Sequence, residues 1–341
     1  LKWLFEFNVL KTIPMNGPIA LPELSAQCNV PLQQLMVVSS IVIACGLLRR
    51  GNESNTVSHS FFSYHITTNP NWNKSVNMVM DLYMPIAAKL PELTTKYGGT
   101  DKLTETAFGL AYKTDMPFFE YISADPVRIR DFSVAMQNIA TSDIQKAEHL
   151  LKMYDWSSIG AATVVDVGGS SGHASILLLK HFPELRVVVQ DLPDVVEKVK
   201  EEQRITNLPT EVRSRLEFMA QDYFEEQRVQ ADVYLIRQCL HNHADKTAAK
   251  LLAQIVPAMK KGARILIVER LLPGEGVELT VEEEIHVTAL SMLMMEMFNA
   301  RERGVADWRE VLRVADSRLK IRSVNKPVGS IFGGVEVVLE E

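Results

Sequence analysis

The sequence predicts an α/β fold, an open and mainly parallel β-sheet in the second half of the chain preceded by a mainly helical N-terminal half. Three observations lead there. From about Ala124 onward, short apolar runs alternate with amphipathic helical segments, the pattern of parallel strands joined by helical crossovers. From Leu1 to about Tyr121 the apolar residues recur mainly with helical period, and no internal repeat is seen. With 341 residues, 47% of them hydrophobic and 23% charged, the chain can bury one large core and a smaller one. Two domains are expected, over residues 1–125 and 126–341.

In the N-terminal half, Ser75 to Leu90 reads as one long helical segment and Leu21 to Leu48 as another, broken into two helices. The break lies at Asn29 to Pro31, after a start signal at Pro22, and the second helix ends near Gly46. This is a helix-turn-helix outline, and Arg49 to His65, with Gly51-Asn52 between two β-prone runs, would supply a wing hairpin. DNA reading would need Lys or Arg beside the second helix to neutralise phosphates, and Pro31 to Leu48 contains neither. The expectation is a dimer-forming winged helix.

The balance of 36 basic and 42 acidic residues gives a formal charge of -6, which attracts neither nucleic acid nor anionic lipid. A small, uncharged partner fits better. Cys28, Cys45 and Cys239 lack the spacing of a disulfide or zinc framework and are expected reduced and buried. No apolar run reaches the roughly 20 residues of a spanning helix, and no signal peptide is recognised, so a cytoplasmic enzyme without a metal is expected.

In the second half, a linking helix is expected from Pro126 to Tyr154. Strands follow at Thr163 to Val167, Arg186 to Gln190, Leu216 to Ala220, Val233 to Arg237 and Arg264 to Glu269. A closing hairpin is expected over Leu319 to Leu339, with Lys326-Pro327 to Gly333-Gly334 between its arms.

The first strand runs into Asp166-Val167-Gly168-Gly169-Ser170-Ser171-Gly172 before an apolar helix begins at His173. Gly168 and Gly169 permit a sharp turn and close approach of a ligand, and the helix start offers donors to a carboxylate. The loop departs from G-x-G-x-x-G, which weakens a dinucleotide reading. Asp166 is suited to a ligand amine, directly or through water. Asp191, followed by Leu192, closes the second strand and can accept both ribose hydroxyls. Past the third strand, Asp222 can take an adenine amino group while Tyr223 and Phe224 cover the ring. Strand-end aspartates are also common helix caps. In this order, however, the three acids match three parts of one nucleoside amino acid.

His241 follows the fourth strand, at the sheet edge where open α/β folds hold their ligands. An imidazole, with an unperturbed pKa of about 6.5, can take a proton from a phenol near neutrality. His243 lies two residues on, and only one of the pair is expected to be the base. Glu269 ends the next strand and is expected to fix the imidazole tautomer.

Taken together, Asp166 to Gly172, Asp191-Leu192-Pro193, Gln221 to Phe224, Arg237 to Asn242, Glu269 and Phe298 to Arg303 resemble the plant and fungal S-adenosylmethionine-dependent O-methyltransferases over nearly the whole chain. The resemblance implies a class I methyltransferase, Rossmann-like sheet with a winged-helix dimerisation domain, acting as a homodimer. It implies that His241 is the base flanked by Glu269 and Glu302, and that Gly168, Asp191, Asp222, Tyr223 and Arg237 hold S-adenosyl-L-methionine. Two departures stand out. The family often has His-Asp-Trp where this chain has His241-Asn242-His243, and Gly-Gly-Gly-Thr-Gly where it has Gly168 to Gly172.

An aromatic or polyketide-like acceptor is expected, carrying a phenolic or enolic hydroxyl. Met292, Met295 and His286, on a helix from Val287 to Phe298 and the helix before it, could line its pocket, or the methionines could be core. Met136 and Gln137 on the linking helix, with Phe118 or Phe119, could close it. Three other readings remain: a pericyclase or dehydratase that binds the same cofactor without methyl transfer, a DNA-binding regulator, and a nicotinamide-dependent reductase.

Overall fold

Strands that are apolar at nearly every position must be covered on both faces, and this requirement organises the second half of the chain. The computed structural model describes residues 1–340, apart from the side chains of Asn71, Asn138 and Arg204. It divides into two compact units, Leu1–Lys89 with Phe119–Ile139, and Leu90–Phe118 with Ala140–Glu341.

In the first unit, β1 (Ile19–Ala20), β2 (Leu48–Arg50) and β3 (Thr56–His59) form a small antiparallel sheet in the order β1-β3-β2. The helices α1 (Leu21–Cys28) and α2 (Leu32–Ala44) precede the β2-β3 hairpin. Asn29 turns the chain between them in the left-handed conformation, φ 52°, where asparagine is tolerated. The hairpin stops sooner than expected. Ser60 caps a helix over Phe61–Thr68, accepting from the Ser63 backbone N–H, so residues 61–65 are helical.

The second unit holds a seven-stranded sheet. Its strands are β4 (Thr163–Val167), β5 (Arg186–Asp191), β6 (Leu216–Ala220), β7 (Val233–Arg237), β8 (Arg264–Arg270), β9 (Leu319–Asn325) and β10 (Phe332–Leu339), in the order β6-β5-β4-β7-β8-β10-β9. The first five in that order run parallel, whereas β10 is antiparallel to both its neighbours. On one face the core includes Ile236, Leu252, Trp308 and Val335. On the other it includes Val164, Leu178, Leu235 and Val268. All five expected parallel strands are present. Because they are parallel, their carboxyl ends meet at one edge.

Three further boundaries, and the burial of one cysteine, differ from expectation. The division into units is not a single cut after residue 125. Residues 90–118 join the second unit because Phe118 packs edge-on against Phe298, with centroids 5.6 Å apart, and Asn299 donates to the carbonyls of Lys102 and Glu105. The linking helix, α3 (Pro126–Ala140), ends well before Tyr154, where Gln145 and Lys146 turn back onto the Ser142 carbonyl. Gly333 and Gly334 lie inside β10 instead of its turn, since a Cβ at Gly333 would sit 2.6 Å from Leu271 Cδ1. Cys45 is exposed, although all three thiols are free as expected.

Tyr234 illustrates how the sheet tolerates a buried hydroxyl. Its Oη donates to the Ala258 carbonyl at 2.8 Å and accepts from the Ala231 N–H at 3.1 Å, and the residue is fully buried. Tyr234→Phe leaves those two groups unsatisfied and is expected to lower the unfolding free energy by about 1–3 kcal/mol. Urea denaturation checks this, as a fall in midpoint with unchanged slope.

Candidate functional site

At the edge of β4 the glycine loop turns through left-handed conformations at Gly168 (φ 68°), Ser170 (φ 49°) and Gly172 (φ 71°). A Cβ at Gly168 would stand 2.6 Å from Cys239 Sγ, so no larger residue fits without displacing the next strand's loop. Asp166 is buried beneath this loop, where its carboxylate accepts the Ser175 hydroxyl at 2.5 Å. Burial pushes its pKa up to about 6, against the opposing pull of Ser175 and the Arg237 charge. Asp166 therefore supports the loop from below.

Asp191, half-buried at the end of β5, accepts the N–H groups of Ser170 and Leu192, each at 2.8 Å and each on a different oxygen. Every oxygen keeps a second lone pair. Beyond β6, Asp222 accepts from the Phe224 N–H at 2.8 Å, and Tyr223 Oη meets His243 Nε2 at 3.0 Å. Leu192 and Phe224 are exposed apolar side chains at adjacent strand ends. Arg237 ends β7 with its guanidinium 5.4 Å from the Phe332 ring.

After Arg237 the chain takes a left-handed step at Gln238, φ 53°, and enters a short turn over Leu240–Asn242. One oxygen of Glu269 holds that turn, accepting the N–H groups of Cys239 and Leu240 at 2.9 Å and of His241 at 3.4 Å. The imidazole is oriented by a different acid. His241 Nδ1 lies 2.9 Å from Oε1 of the buried Glu302, and a carboxylate only accepts. Nδ1 therefore carries the hydrogen and Nε2 keeps its lone pair. The expected tautomer-fixing role passes from Glu269 to Glu302 because the former spends its facing oxygen on the backbone.

Burial works to lower the His241 pKa, but the charges of Glu269 and Glu302 and the Glu302 hydrogen bond outweigh it, and the net shift is upward. His243 moves the other way. Burial, with the charges of Arg303 and His241, pushes it down to about 4, so it stays neutral and engaged with Tyr223. Of the two histidines, His241 is the one with a carboxylate partner.

Two arginines at this edge have no counterpart among the expected site residues, Arg303 within the Phe298 to Arg303 segment and Arg270 just beyond Glu269. Arg303 donates to the carbonyls of Leu240 at 2.9 Å and His243 at 2.5 Å and to Asp245 at 2.8 Å, stapling the loop that carries His241. Arg270, buried at the end of β8, lies 3.4 Å from Glu302 Oε1 and donates to Gln145 at 2.8 Å. Neither has a sequence signal of its own, since both depend on contacts between distant segments. One ligand-type atom from each of His241, Glu269 and Glu302 lies within 4.8 Å of the others. A fixed guanidinium beside that cluster opposes a second cation, which argues against a metal there.

The acceptor-side residues separate. α4 (Val281–Phe298) is one helix, opened by a capping box between Thr280 and Glu283, and it includes His286. Met292 and Met295 are exposed and line a cavity of about 620 Å³ with Leu93, Thr288 and Ser291. His286 instead lines a groove of about 1100 Å³ with Glu283 and Lys326. Nine positions separate His286 from Met295, which at about 100° per residue puts them on opposite faces of the helix. Met294 and Met297 are core. Phe118 is buried against Phe298. Met136, half-buried, and Phe119 belong to the first unit.

The family model of the O-methyltransferase domain matches residues 93–316. The O-methyltransferase VdtC of Byssochlamys spectabilis is 41% identical over 339 residues, covering 99% of this chain and 78% of that protein. The chain belongs to the S-adenosylmethionine-dependent O-methyltransferases. Among solved structures, the mitomycin 7-O-methyltransferase MmcR matches this methyltransferase with a TM-score of 0.75 at 21% identity, covering 99% of this chain and 92% of the other. A structure described as a pericyclic reaction enzyme matches at 0.71 and 23%, covering 100% and 84%. At these identities the likeness is one of fold, the class I methyltransferase sheet with a helical N-terminal region.

The cofactor of this O-methyltransferase suits the carboxyl edge. The Gly168 cradle has no room for a side chain, the Asp191 oxygens retain acceptor capacity for a ribose, and Leu192 and Phe224 offer apolar cover for a base. Gly168→Ala is expected to weaken S-adenosylhomocysteine binding at least tenfold by titration calorimetry, because φ 68° and the Cys239 contact both oppose a Cβ. Adding Cys239→Ala to it should recover only part of the loss, since the backbone conformation is unchanged. Asp191→Ala should weaken the same binding while leaving the melting temperature nearly unaltered.

Proposed function

We propose that this methyltransferase transfers its methyl group to a phenolic or enolic hydroxyl of a small secondary-metabolite-like molecule, with His241 as general base. The observation that carries the reading is the 2.9 Å pairing of His241 Nδ1 with the buried Glu302. It leaves Nε2 as the basic atom and sets a negative charge where an imidazolium would form. S-Adenosylmethionine, when bound, supplies a methyl group already activated on a sulfonium. The chain's own contribution is to align the acceptor and to remove its proton, which passes to His241 Nε2 and from there to solvent. Asp191, Asp222, Tyr223 and Arg237, with the backbone of Gly168 and Gly169, would hold the cofactor. Met292 and Met295 support an aromatic or polyketide-like acceptor, since exposed thioethers adapt to flat partners. Mitomycin as the acceptor of MmcR is in keeping with a small molecule of that kind.

The base reading has a sign in pH. Only neutral His241 can accept a proton, so kcat/KM should rise with pH through a limb lying above the ordinary imidazole value of about 6.5. His241→Ala is expected to keep its affinity for S-adenosylhomocysteine and to lose about 10²–10⁴-fold in kcat. Unchanged turnover would put the base elsewhere. Incubation with methyl-labelled cofactor and a phenolic panel separates methyl transfer from the pericyclic alternative. The label should leave with the product, and product formed with the label still on the cofactor would favour the alternative.

We further propose a homodimer through the N-terminal unit, where Val37, Ile41, Phe61, Phe62 and Trp72 are all more than half exposed. Such an apolar surface favours a partner over water. Light scattering should give twice the 38.3 kDa chain mass, and Ile41→Arg should shift it toward the monomer.

A further inference from the structure

Beside the proposed base sits a cation that the mechanism above does not use. Arg270 is buried, with its guanidinium 4.8 Å from the Phe332 ring, and it shares with His241 the same Glu302 oxygen, at 3.4 Å and 2.9 Å respectively. Its other terminal nitrogen is held at 2.8 Å by Gln145, also buried, from the turn that follows α3. The guanidinium is thus fixed from two sides, by a neutral amide remote in sequence and by the acid that orients the base.

The charges around this point come from every neighbouring element. β8 contributes Glu269 and Arg270, the segment after α4 contributes Glu302 and Arg303, α4 contributes His286, β7 ends in Arg237, and the base-bearing loop holds His241 and His243. In the cluster of Glu269, Glu302, Arg270 and His241, ionised carboxylates and a neutral imidazole leave one net negative charge. Protonation of His241 cancels it. Without the guanidinium the same pocket would hold two uncompensated carboxylates, and the imidazole would keep its proton more tightly.

We propose that Arg270, latched by Gln145, is a positioning residue that acts through Glu302 to set the charge balance of the pocket, and so the readiness of His241 to give up the proton it has taken. Arg270 touches neither acceptor nor cofactor in this role. The proposal rests on the reading of His241 as base for its kinetic consequence, but not for its electrostatic one. The direction agrees with the structure, in which the Arg270 charge opposes the upward pull of the two acids on His241.

The test is to titrate the His241 imidazole by NMR in ¹⁵N-histidine-labelled full-length protein, assigned with His241→Gln, and to record kcat/KM against pH in parallel. Arg270→Gln should move the His241 titration to higher pH by about one unit, with a matching shift of the acidic limb and a roughly tenfold loss of kcat/KM on it, while the alkaline plateau changes little. Arg270→Lys, which restores a cation, should return the titration toward that of the unaltered protein. If Arg270→Gln does not fold, Gln145→Glu replaces it as the probe, since a carboxylate there draws the guanidinium away from Glu302 and should move the titration in the same direction. An unmoved His241 titration in a folded variant of either kind overturns the proposal. A moved titration with an unmoved kinetic limb upholds the electrostatic role and instead refutes His241 as base.

Discussion

The chemistry of this protein depends on the parallel register of five strands. Their faces are covered by two apolar layers, and open α/β sheets bind their ligands at the edge where the parallel chains end. Register then does what no single residue could. It brings Asp191, Asp222, Arg237, Glu269 and the glycine loop to one rim, although they are scattered over some hundred residues of sequence. The antiparallel β10 completes the sheet beside β8, and through Phe332 it places an aromatic face under both Arg237 and Arg270.

Much of this rim was legible in the sequence because period-two and continuous apolar runs mark strands, and functional residues fall just past them. The five parallel strands and the order of the acids could be read that way. What could not be read was the assignment of work among the acids. Glu269 lies at the end of β8 and next to His241 by strand order, which made it the natural partner of the ring. The backbone, however, turns left-handed at Gln238 and presents three N–H groups to that carboxylate, leaving the ring to Glu302. Such a choice depends on loop conformation, and a loop conformation has no periodic signature. The same holds for the helix carrying His286 and the methionines, whose start at Thr280 was missed because Glu282 to Glu284 hide the apolar pattern in its first turn.

The two histidines separated by one residue show how burial and charge can give neighbouring side chains opposite tasks. One faces acids and is drawn toward protonation; the other is buried against a tyrosine, with the Arg303 charge nearby, and is kept neutral. Asn242 and His243 follow His241 here, and the hydrogen bond between His243 and Tyr223 ties the loop after β7 to the segment after β6.

The helix Val281–Phe298 has one side turned to a groove and the other to a cavity, and on the cavity side the Ser291 hydroxyl accepts the Glu302 N–H at 3.2 Å. Met292 and Met295, exposed on the cavity side, can thus change in shape without touching the paired side chains of His241 and Glu302. One stripe of a single helix could in this way reshape the cavity, while Ser291 stays tied to the Glu302 backbone.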